Sequence, residues 1–338
     1  MKNIVVTGGL GFIGHHLLLK LLEQKNLKIT VIDIKSDENA KTIFELSDVI
    51  DNPSFKNALN YKKNDNEVSF FMQDIKNKDE ILRIFANGKF DTCIHLAAKV
   101  SVVDSITNPE ETFTVNEYGT LNILDACAKN HVENFVFASS GAVYGEPKIL
   151  PIMENHIMEP LSPYGASKVA GEALLCSYVF CGKIKKGITL RFFNVYGEGQ
   201  NPQYAGVITK FAEKLSKGLP PTIYGNGQQT RDFIYVGDIV KAIIFAAQSK
   251  EVTHGYHTFN VATGKSTSVI DLALIMMKIF GQNVKPVFED ERIGEIRDGS
   301  ANISKVKKFL GFEATVSLES GLTTFKNYFE KNSLLRVI

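Results

Sequence analysis

A run of glycines directly after the first predicted strand restricts the fold of this chain more than any other feature. Residues 2–7 form a short apolar stretch typical of a buried parallel strand, and Gly8-Gly9-Leu10-Gly11-Phe12-Ile13-Gly14 leads into a leucine-rich helix. Glycines here allow a tight turn and let a pyrophosphate approach the helix N-terminus, where free N–H groups favour anions. The run fits Gly-x-Gly-x-x-Gly from Gly9 and Gly-x-x-Gly-x-x-Gly from Gly8, so the sequence predicts a dinucleotide-binding loop.

The second predicted strand, residues 28–33, ends in an acid that indicates which dinucleotide binds. Asp33 follows Gly14 by 19 residues, a spacing at which a carboxylate can accept hydrogen bonds from the adenosine ribose hydroxyls. The same carboxylate would repel a 2′-phosphate, which favours NAD over NADP. The alternative interpretation is an aspartate that only caps the strand.

Strands and helices then alternate along the chain. Predicted strands at 68–72, 92–96 and 135–137 are separated by predicted helices at 78–85 and 109–129. This order predicts an α/β fold with a Rossmann-type doubly wound parallel sheet and a smaller, mostly C-terminal α/β domain. Residues 35–67 are polar and indicate an insertion with one or two irregular helices and no recognisable motif.

Composition excludes several classes of partner. The 338 residues are 44% hydrophobic with a net charge of +1, which predicts no nucleic-acid or membrane partner. No apolar run approaches the roughly 20 residues that span a bilayer, and the N-terminus has no signal-peptide pattern. The cysteines lack the spacing of a zinc site or disulfide framework, and His254 and His257 have no carboxylate or cysteine at ligand spacing. We expect a cytoplasmic protein with reduced cysteines and no metal.

The stretch Ser162-Pro163-Tyr164-Gly165-Ala166-Ser167-Lys168 carries the predicted acid–base chemistry. Tyr164 and Lys168 lie four residues apart, so on a helix they share one face and the ammonium can favour the ionised phenol. Pro163 suits the first turn of such a helix. An isolated pair of this kind is more often a surface tyrosine near a solvated lysine, so the assignment depends on the rest of the chain.

A serine run follows the strand at 135–137. In open α/β sheets ligands bind at the carboxyl ends of the strands, so Ser140 in Ala138-Ser139-Ser140-Gly141-Ala142-Val143-Tyr144-Gly145 is a candidate for the site. A serine there can also be a simple turn former or helix cap.

Together, the glycine loop, Asp33, the serine run and Tyr164-x-x-x-Lys168 resemble the extended short-chain dehydrogenase/reductase family, in its branch of nucleotide-sugar epimerases and dehydratases. The resemblance covers nearly the whole chain. It implies that Ser140, Tyr164 and Lys168 are catalytic and that Asn116 supports them. It implies cofactor contacts from Gly8, Gly11, Phe12, Ile13, Gly14, Asp33, Asp74, Ile75, Leu96, Ala97, Ala98, Lys99, Tyr164 and Lys168. Lys99 departs from the apolar residue usual at its position.

The resemblance also implies a substrate half that binds a UDP-sugar. From both halves of the chain, the predicted contacts with the UDP-sugar are Ser101, Ser140, Tyr164, Asn194, Val207, Tyr224, Arg231, Arg292 and Gly299. Tyr224 can stack on a pyrimidine, and the two arginines can fork onto phosphate oxygens, although arginines more often form surface ion pairs. Gly299 stands where a bulky residue would exclude an N-acetyl group. The NAD-binding domain is placed at 1–192 and 233–260, and the nucleotide-sugar-binding domain at 193–232 and 261–338.

The residues after Ser140 select among the reactions of this family. A 4,6-dehydratase would carry an acid pair where this chain has Gly141 and Ala142, and a glucuronate-type decarboxylase would carry a glutamate at Ala142. The prediction is therefore NAD-dependent 4-epimerisation of UDP-hexoses, both plain and N-acetylated. A related reductase or dehydratase and a non-catalytic NAD-sensing protein remain alternatives. In the resembled family helices at 109–129 and 164–181 form a four-helix bundle, which predicts a homodimer.

Overall fold

A computed structural model describes residues 1–35, 48–50, 52, 55, 58–200, 206–291 and 297–335. The strands are β1 (Asn3–Thr7), β2 (Lys28–Asp33), β3 (Asp48–Val49), β4 (Leu59–Lys63), β5 (Asn66–Met72), β6 (Thr92–His95), β7 (Asn134–Ser140), β8 (Lys186–Phe192), β9 (Asn194–Tyr196), β10 (Thr222–Tyr224), β11 (Thr230–Arg231), β12 (Phe233–Tyr235), β13 (Gly255–Val261), β14 (Thr267–Ser268) and β15 (Val287–Glu289). The α-helices are α1 (Phe12–Leu22), α2 (Lys78–Gly88), α3 (Val102–Thr107), α4 (Pro109–Phe113), α5 (Gly119–Lys129), α6 (Pro163–Phe180), α7 (Val207–Leu215), α8 (Val236–Gln248), α9 (Val269–Phe280), α10 (Ser304–Leu310) and α11 (Leu318–Leu335).

A large sheet forms the centre of the fold, with the strand order β13-β8-β7-β6-β1-β2-β5-β4-β3. The pairs from β13 through β5 are all parallel. Chain order reverses at β1, because β2 lies on one side of it and β6 on the other. This arrangement confirms the predicted doubly wound sheet and locates its switch point between β1 and β6, where such folds bind their ligands.

Alternation along β1 explains why both sides of the sheet are covered by helices. Ile4 and Val6 belong to one buried apolar cluster and Val5 belongs to another on the opposite face. All three are fully buried. Successive side chains of a strand point to opposite faces, so a continuous apolar strand requires a layer of helices on each side.

The described part of the 35–67 insertion contains strands. β3 and β4 add two antiparallel strands beyond β5, and residues 36–47, 51, 53–54 and 56–57 of the segment with predicted irregular helices lie outside the described residues. β4 and β5 are joined through Asn64 and Asp65, whose φ angles of 50° and 62° are those of a tight hairpin turn. β4 shows no apolar alternation that would predict a strand, because the adjacent Asn60 and Tyr61 are both buried.

The predicted helix at 109–129 is present but not regular. α4 and α5 are separated by a π-helical turn, Thr114–Tyr118. Such a turn holds one extra residue in the helix and is frequent at functional sites. Here it contains the buried Asn116.

The C-terminal half has a core of its own. It includes Phe211 from α7, Met276 from α9 and Phe325 from α11. In contrast, Val306 and Leu310 of α10 belong to the cluster beneath the large sheet. The division into two domains given above stays a prediction.

Among the helices of the described residues, none combines the length and the hydrophobicity of a membrane-spanning segment.

Candidate active site

The glycine loop packs too closely for side chains. Gly8 has a φ of +69°, and a Cβ placed on it would lie 2.6 Å from the backbone nitrogen of Ala97. A Cβ on Gly14 would lie on the Gly8 carbonyl oxygen and 2.6 Å from Cα of Gly9. Gly11 is the N-cap of α1 and provides no side-chain cap, and the first turn has no acid. Phe12 and Ile13 form the first turn of α1, and their N–H groups therefore suit the binding of a pyrophosphate.

Asp33 ties the end of β2 to this loop. Its Oδ2 accepts a hydrogen bond from the Leu10 N–H at 2.8 Å, and Oδ1 accepts one from the Lys35 N–H at 3.0 Å. The side chain is buried. Each carboxylate oxygen can accept a further hydrogen bond, so these contacts leave capacity for ribose hydroxyls. The loop and Asp33 together fit the adenosine and pyrophosphate of NAD.

The end of β6 is connected to the glycine loop through a buried histidine. Thr7 and His95 Nδ1 lie 2.6 Å apart, and His95 Nε2 lies 2.9 Å from Thr120 Oγ1. Thr120 in turn donates to the Asn116 carbonyl, which makes Nε2 the protonated nitrogen. Burial, with a smaller contribution from Lys168, lowers the pKa of His95 to about 3 and keeps it neutral.

The residues that follow β6 run along the same edge. The Leu96 N–H donates to the Thr7 carbonyl, and the Ala97 N–H lies 3.3 Å from Thr7 Oγ1. Ala98 comes next, and Lys99 is half exposed with its Nζ 3.8 Å from Glu111. Small residues at this edge leave the backbone accessible beside the glycine loop.

Asn116 fixes this edge to α6. Its Oδ1 accepts from the Lys99 N–H at 2.8 Å, and its Nδ2 donates to the Lys99 carbonyl and to Ser167 Oγ. Ser167 then donates to the Tyr164 carbonyl. Through these hydrogen bonds, Asn116 supports the backbone around Tyr164.

The predicted adenine contacts lie after β5. Asp74 Oδ1 accepts from the Lys76 N–H at 2.9 Å. Ile75 is buried, and its side chain occupies the space that a Cβ on Gly119 would need. The carbonyl of Ile75 accepts from Asn122.

Ser140 ends β7 at the carboxyl edge of the sheet. It is the N-cap of a short 3₁₀ turn, Gly141–Val143, and its Oγ accepts from the Ala142 N–H at 3.1 Å. A hydrogen bond between Ser140 and Tyr164 lowers the pKa of the phenol. The structure thus brings these two predicted residues together across 24 positions of sequence.

Tyr164 and Lys168 share one face of α6. The helix begins at Pro163, and Ser162 caps it by accepting from the Gly165 N–H at 3.1 Å. Lys168 Nζ donates to the Ala138 carbonyl at 2.9 Å and lies 5.9 Å from the centre of the Tyr164 ring.

Burial dominates the electrostatics of this pair. Desolvation raises the pKa of Tyr164 above its ordinary value, and the hydrogen bond from Ser140 only partly opposes it. Desolvation also lowers the pKa of Lys168 to about 8, while the charge of Glu172 acts in the opposite direction.

The predicted substrate residues occupy separate short elements of the second half. Asn194 begins β9, Val207 begins α7, Tyr224 ends β10 and Arg231 ends β11. Asn194 is joined to the Asp232 carbonyl through its backbone N–H at 3.1 Å.

Gly299 and Ser101 also belong to the predicted substrate contacts. Gly299 lies beside Arg231, and Ser101 lies at the start of α3. A Cβ on Gly299 would be 3.6 Å from the Thr230 carbonyl and 3.9 Å from Cδ of Arg231, which are ordinary contacts. Ser101 caps α3 by accepting from the Asp104 N–H. Arg292 lies outside the described residues.

A buried ion pair next to Lys168 was missed at the level of sequence. Glu172 on α6 and Arg191 on β8 approach to 2.6 Å, and both are almost fully buried. A signal was available, because Arg191 lies between Leu190 and Phe192 in a predicted buried strand and a buried charge needs a partner. The partner's identity depends on how α6 packs on the sheet.

The fold and the site define a class of protein. The sequence profile described as the NAD dependent epimerase/dehydratase family matches residues 4–262. The chain belongs to this family, within the extended short-chain dehydrogenases/reductases.

Individual relatives narrow the comparison. The chain is 38% identical over 333 residues to a putative UDP-glucose 4-epimerase of Methanocaldococcus jannaschii, covering 98% of this chain and 99% of the relative. It is 34% identical, with a TM-score of 0.84, to the crystal structure of UDP-glucose 4-epimerase with UDP-glucose from Thermotoga maritima, covering 98% and 100%. It is 33% identical, with a TM-score of 0.83, to UDP-N-acetylglucosamine 4-epimerase from Methanobrevibacter ruminantium in complex with UDP-N-acetylmuramic acid, covering 98% and 99%.

Proposed function

We propose that this chain catalyses the NAD-dependent 4-epimerisation of UDP-hexoses through a transient 4-keto sugar. The observation that carries the proposal is that α6 places Tyr164 and Lys168 at the carboxyl edge of the sheet, where Lys168 donates to the Ala138 carbonyl two residues before Ser140, in a fold whose glycine loop fits NAD. Gly141 and Ala142 provide no acid for dehydration. The names of the similar 4-epimerases support the same reaction.

The side chains then have separate tasks. Tyr164 takes the proton from the 4-hydroxyl of the sugar, and Ser140 hydrogen-bonds to the same oxygen. NAD, when bound, accepts the hydride from C4 and returns it. The hydride returns to the face of the ketone opposite to the one it left, and the proton returns to the oxygen. The configuration at C4 is therefore inverted without net oxidation. Lys168 holds positive charge beside the phenol and is suited to the nicotinamide ribose hydroxyls.

The remaining contacts are assigned by the same proposal. Asn116 supports Tyr164 through Ser167. Residues 1–192 and 233–260 form the domain that binds NAD. Its contacts are the glycine loop, Asp33 and the segments at 74–75 and 96–99. Residues 193–232 and 261–338 bind the UDP-sugar through Asn194, Val207, Tyr224, Arg231, Arg292 and Gly299, and Ser101 contacts it from the NAD-binding domain. All four cysteines are unbridged, which supports a cytoplasmic setting.

The test is turnover without added cofactor. Purified protein incubated with UDP-glucose should produce UDP-galactose, and the N-acetylated pair should interconvert as well. A reductase or dehydrogenase would consume added cofactor with each cycle, and a dehydratase would release a 4-keto-6-deoxy sugar. An NAD-sensing protein would bind NAD and convert none of the four sugars, and this result would refute the proposal.

Gly299 provides a prediction about substrate range. Gly299→Tyr should lower kcat/KM for N-acetylated sugars at least about tenfold more than for plain hexoses, because its ring would occupy the space beside position 2 of the hexose. A first side-chain carbon fits there without strain. Steady-state assays on all four substrates measure the effect.

The control for this prediction is Gly299→Ala, which adds only the tolerated carbon and should leave the ratio of the two substrate classes unchanged. Equal losses on both classes in Gly299→Tyr would remove Gly299 from substrate selection.

We also propose that the chain forms a homodimer through a four-helix bundle built from α4–α5 and α6 of each copy. These helices line an open surface recess of about 660 Å³, formed by Phe113, Thr114, Glu117, Tyr118, Leu121, Ala170, Ala173 and Leu174. Tyr118, one of the residues that line the recess, is 47% exposed. The apolar lining supports a second copy as the occupant.

Glu117 makes the association pH-dependent. Its Oε1 is buried with no hydrogen-bond partner among the described residues, and desolvation raises its pKa to about 7. Covering the recess would favour the protonated form further, so the dimer binds more protons than the monomer. We expect the dimer to weaken by about tenfold or more per pH unit above 7, as measured by sedimentation.

Glu117→Gln should remove this pH dependence and strengthen association above pH 7. Glu133→Gln, which changes an exposed carboxylate, should leave it intact. A wild-type monomer at micromolar concentration and neutral pH would contradict the dimer itself.

A further inference from the structure

We propose that Glu172, paired with Arg191, is a positioning residue for the reaction, which fixes the electrostatic environment of Lys168 and the end of the strand that carries Ser140. The inference rests on the proposed 4-epimerisation and concerns two residues to which that scheme gives no task.

Glu172 reaches both parts of the catalytic set. It lies one helical turn after Lys168 on the same face of α6, and both side chains are buried. Its Oε1 also accepts a hydrogen bond from Ser139 Oγ at 2.5 Å. Ser139 directly precedes Ser140 in β7, so one carboxylate is hydrogen-bonded to the strand end and its charge acts on Lys168.

Arg191 holds that carboxylate in place with two of its donors, and its other donors bind neighbouring groups. Nε and one Nη2 hydrogen fork onto Glu172 at 2.9 and 2.6 Å. Nη1 donates to Tyr144 Oη and to the Glu154 carbonyl, and Nη2 also contacts Sδ of Met158 at 3.2 Å. A guanidinium has five N–H groups, and all five are satisfied.

The network continues beyond Arg191 into the segment after the serine run. Tyr144 Oη donates to Asn260 Oδ1 at 2.6 Å, and Asn260 Nδ2 donates to the Ile152 carbonyl at 2.9 Å. The ion pair therefore joins α6 to β7, β8, β13 and the segment around residues 152–158.

Stability alone does not account for a charged pair at this position. Replacing a buried ion pair by apolar residues of similar volume is often neutral or stabilising. An effect on a neighbouring charge does account for it, because Coulomb interactions are strong where water is excluded.

Lys168 is the group whose charge Glu172 controls. Besides Glu172, the titratable groups that interact with Lys168 in the described residues include Tyr164, whose ring centre is 5.9 Å from Nζ, and the neutral His95, whose pKa Lys168 helps to lower. Glu172 is the charge that raises the pKa of Lys168 against desolvation, which has lowered it to about 8. Without the carboxylate the pKa would fall further, so the ammonium would be lost at a lower pH. Activity that needs a charged Lys168 would then decline at a lower pH.

The test removes both charges together, so that neither is left buried and unpaired. In the double variant Glu172→Gln with Arg191→Gln, the alkaline limb of the kcat/KM profile should move down by about one pH unit or more. At neutral pH kcat should fall about tenfold, while KM changes less than about twofold. Glu172→Asp, which keeps the charge, should recover most of the rate.

A readout independent of turnover separates this inference from the proposed reaction. The titration midpoint of Lys168, followed by NMR of isotope-labelled lysine Cε and identified with Lys168→Met, should fall in the double variant. Wild-type protein without epimerase activity would refute the proposed function and leave this titration to decide on Glu172. A double variant with a wild-type Lys168 midpoint would overturn the inference.

Asp238→Asn is the control for lost stability. Asp238 is a buried carboxylate that accepts hydrogen bonds from the backbone of Thr315 and Val316, away from Lys168. It should lower the melting temperature without moving the Lys168 midpoint. If the double variant does not fold, Glu172→Gln alone is measured by the same titration, and an unchanged midpoint there also overturns the inference.

Discussion

Replacing Tyr164 by phenylalanine is expected to lower kcat for epimerisation by about 10³-fold or more, while the protein folds and keeps NAD. The substitution removes one oxygen, and with it the group that takes the proton from the sugar. The ring occupies the same space, so the substitution breaks the hydrogen bond with Ser140 and leaves the packing of the ring in place. Product separation after incubation with UDP-glucose measures the rate, and the cofactor released on denaturation measures NAD.

The matched control is Tyr178→Phe on the same helix. Tyr178 is buried too, and its hydroxyl donates to Asp125 rather than facing Ser140. Removing this hydroxyl should change kcat by less than about threefold. If Tyr164→Phe kept more than about a tenth of the wild-type rate, Tyr164 would not be the acid–base group.

Replacing Gly14 by alanine is expected to abolish retention of NAD. The added carbon would lie on the Gly8 carbonyl oxygen and 2.6 Å from Cα of Gly9. Both neighbours are backbone, so no side-chain rotation can relieve the clash and the loop must open. Since this loop shapes the predicted pyrophosphate site, we expect less than about a tenth of the wild-type NAD per chain after purification.

Gly206→Ala is the control for an added methyl group. Nothing lies within 4 Å of a Cβ at Gly206, which is the N-cap of α7 in the other half of the chain. This variant should retain NAD fully. A Gly14→Ala protein with full NAD content would show that the dinucleotide does not depend on this loop.

Features with short-range causes could be predicted from the sequence. The glycine loop follows from a strand, a turn and a helix within Asn3–Leu22, and Gly8 does adopt the positive φ that glycine permits. Tyr164 and Lys168 share a face because a helix repeats every 3.6 residues, whatever surrounds it. The alternation of strands and helices was enough to predict a doubly wound sheet.

Features that depend on distant partners were decided only by the tertiary structure. β4 became a strand because β5 offered a sheet edge, and its polar sequence gave no clear sign of it. Asn116 could be placed in the site from sequence, but its hydrogen bonds with Lys99 and Ser167 could not.

The electrostatics of the site depended on the fold in the same way. Sequence spacing suggested that Lys168 would favour the ionised Tyr164, whereas burial raises the pKa of the phenol and lowers that of the ammonium. Glu172 meets Arg191 only because α6 packs against β8. The sequence alone therefore determined which residues alternate, turn and share a face. Burial, and the partner of each buried charge, came from packing between segments far apart in the chain, which local periodicity does not encode.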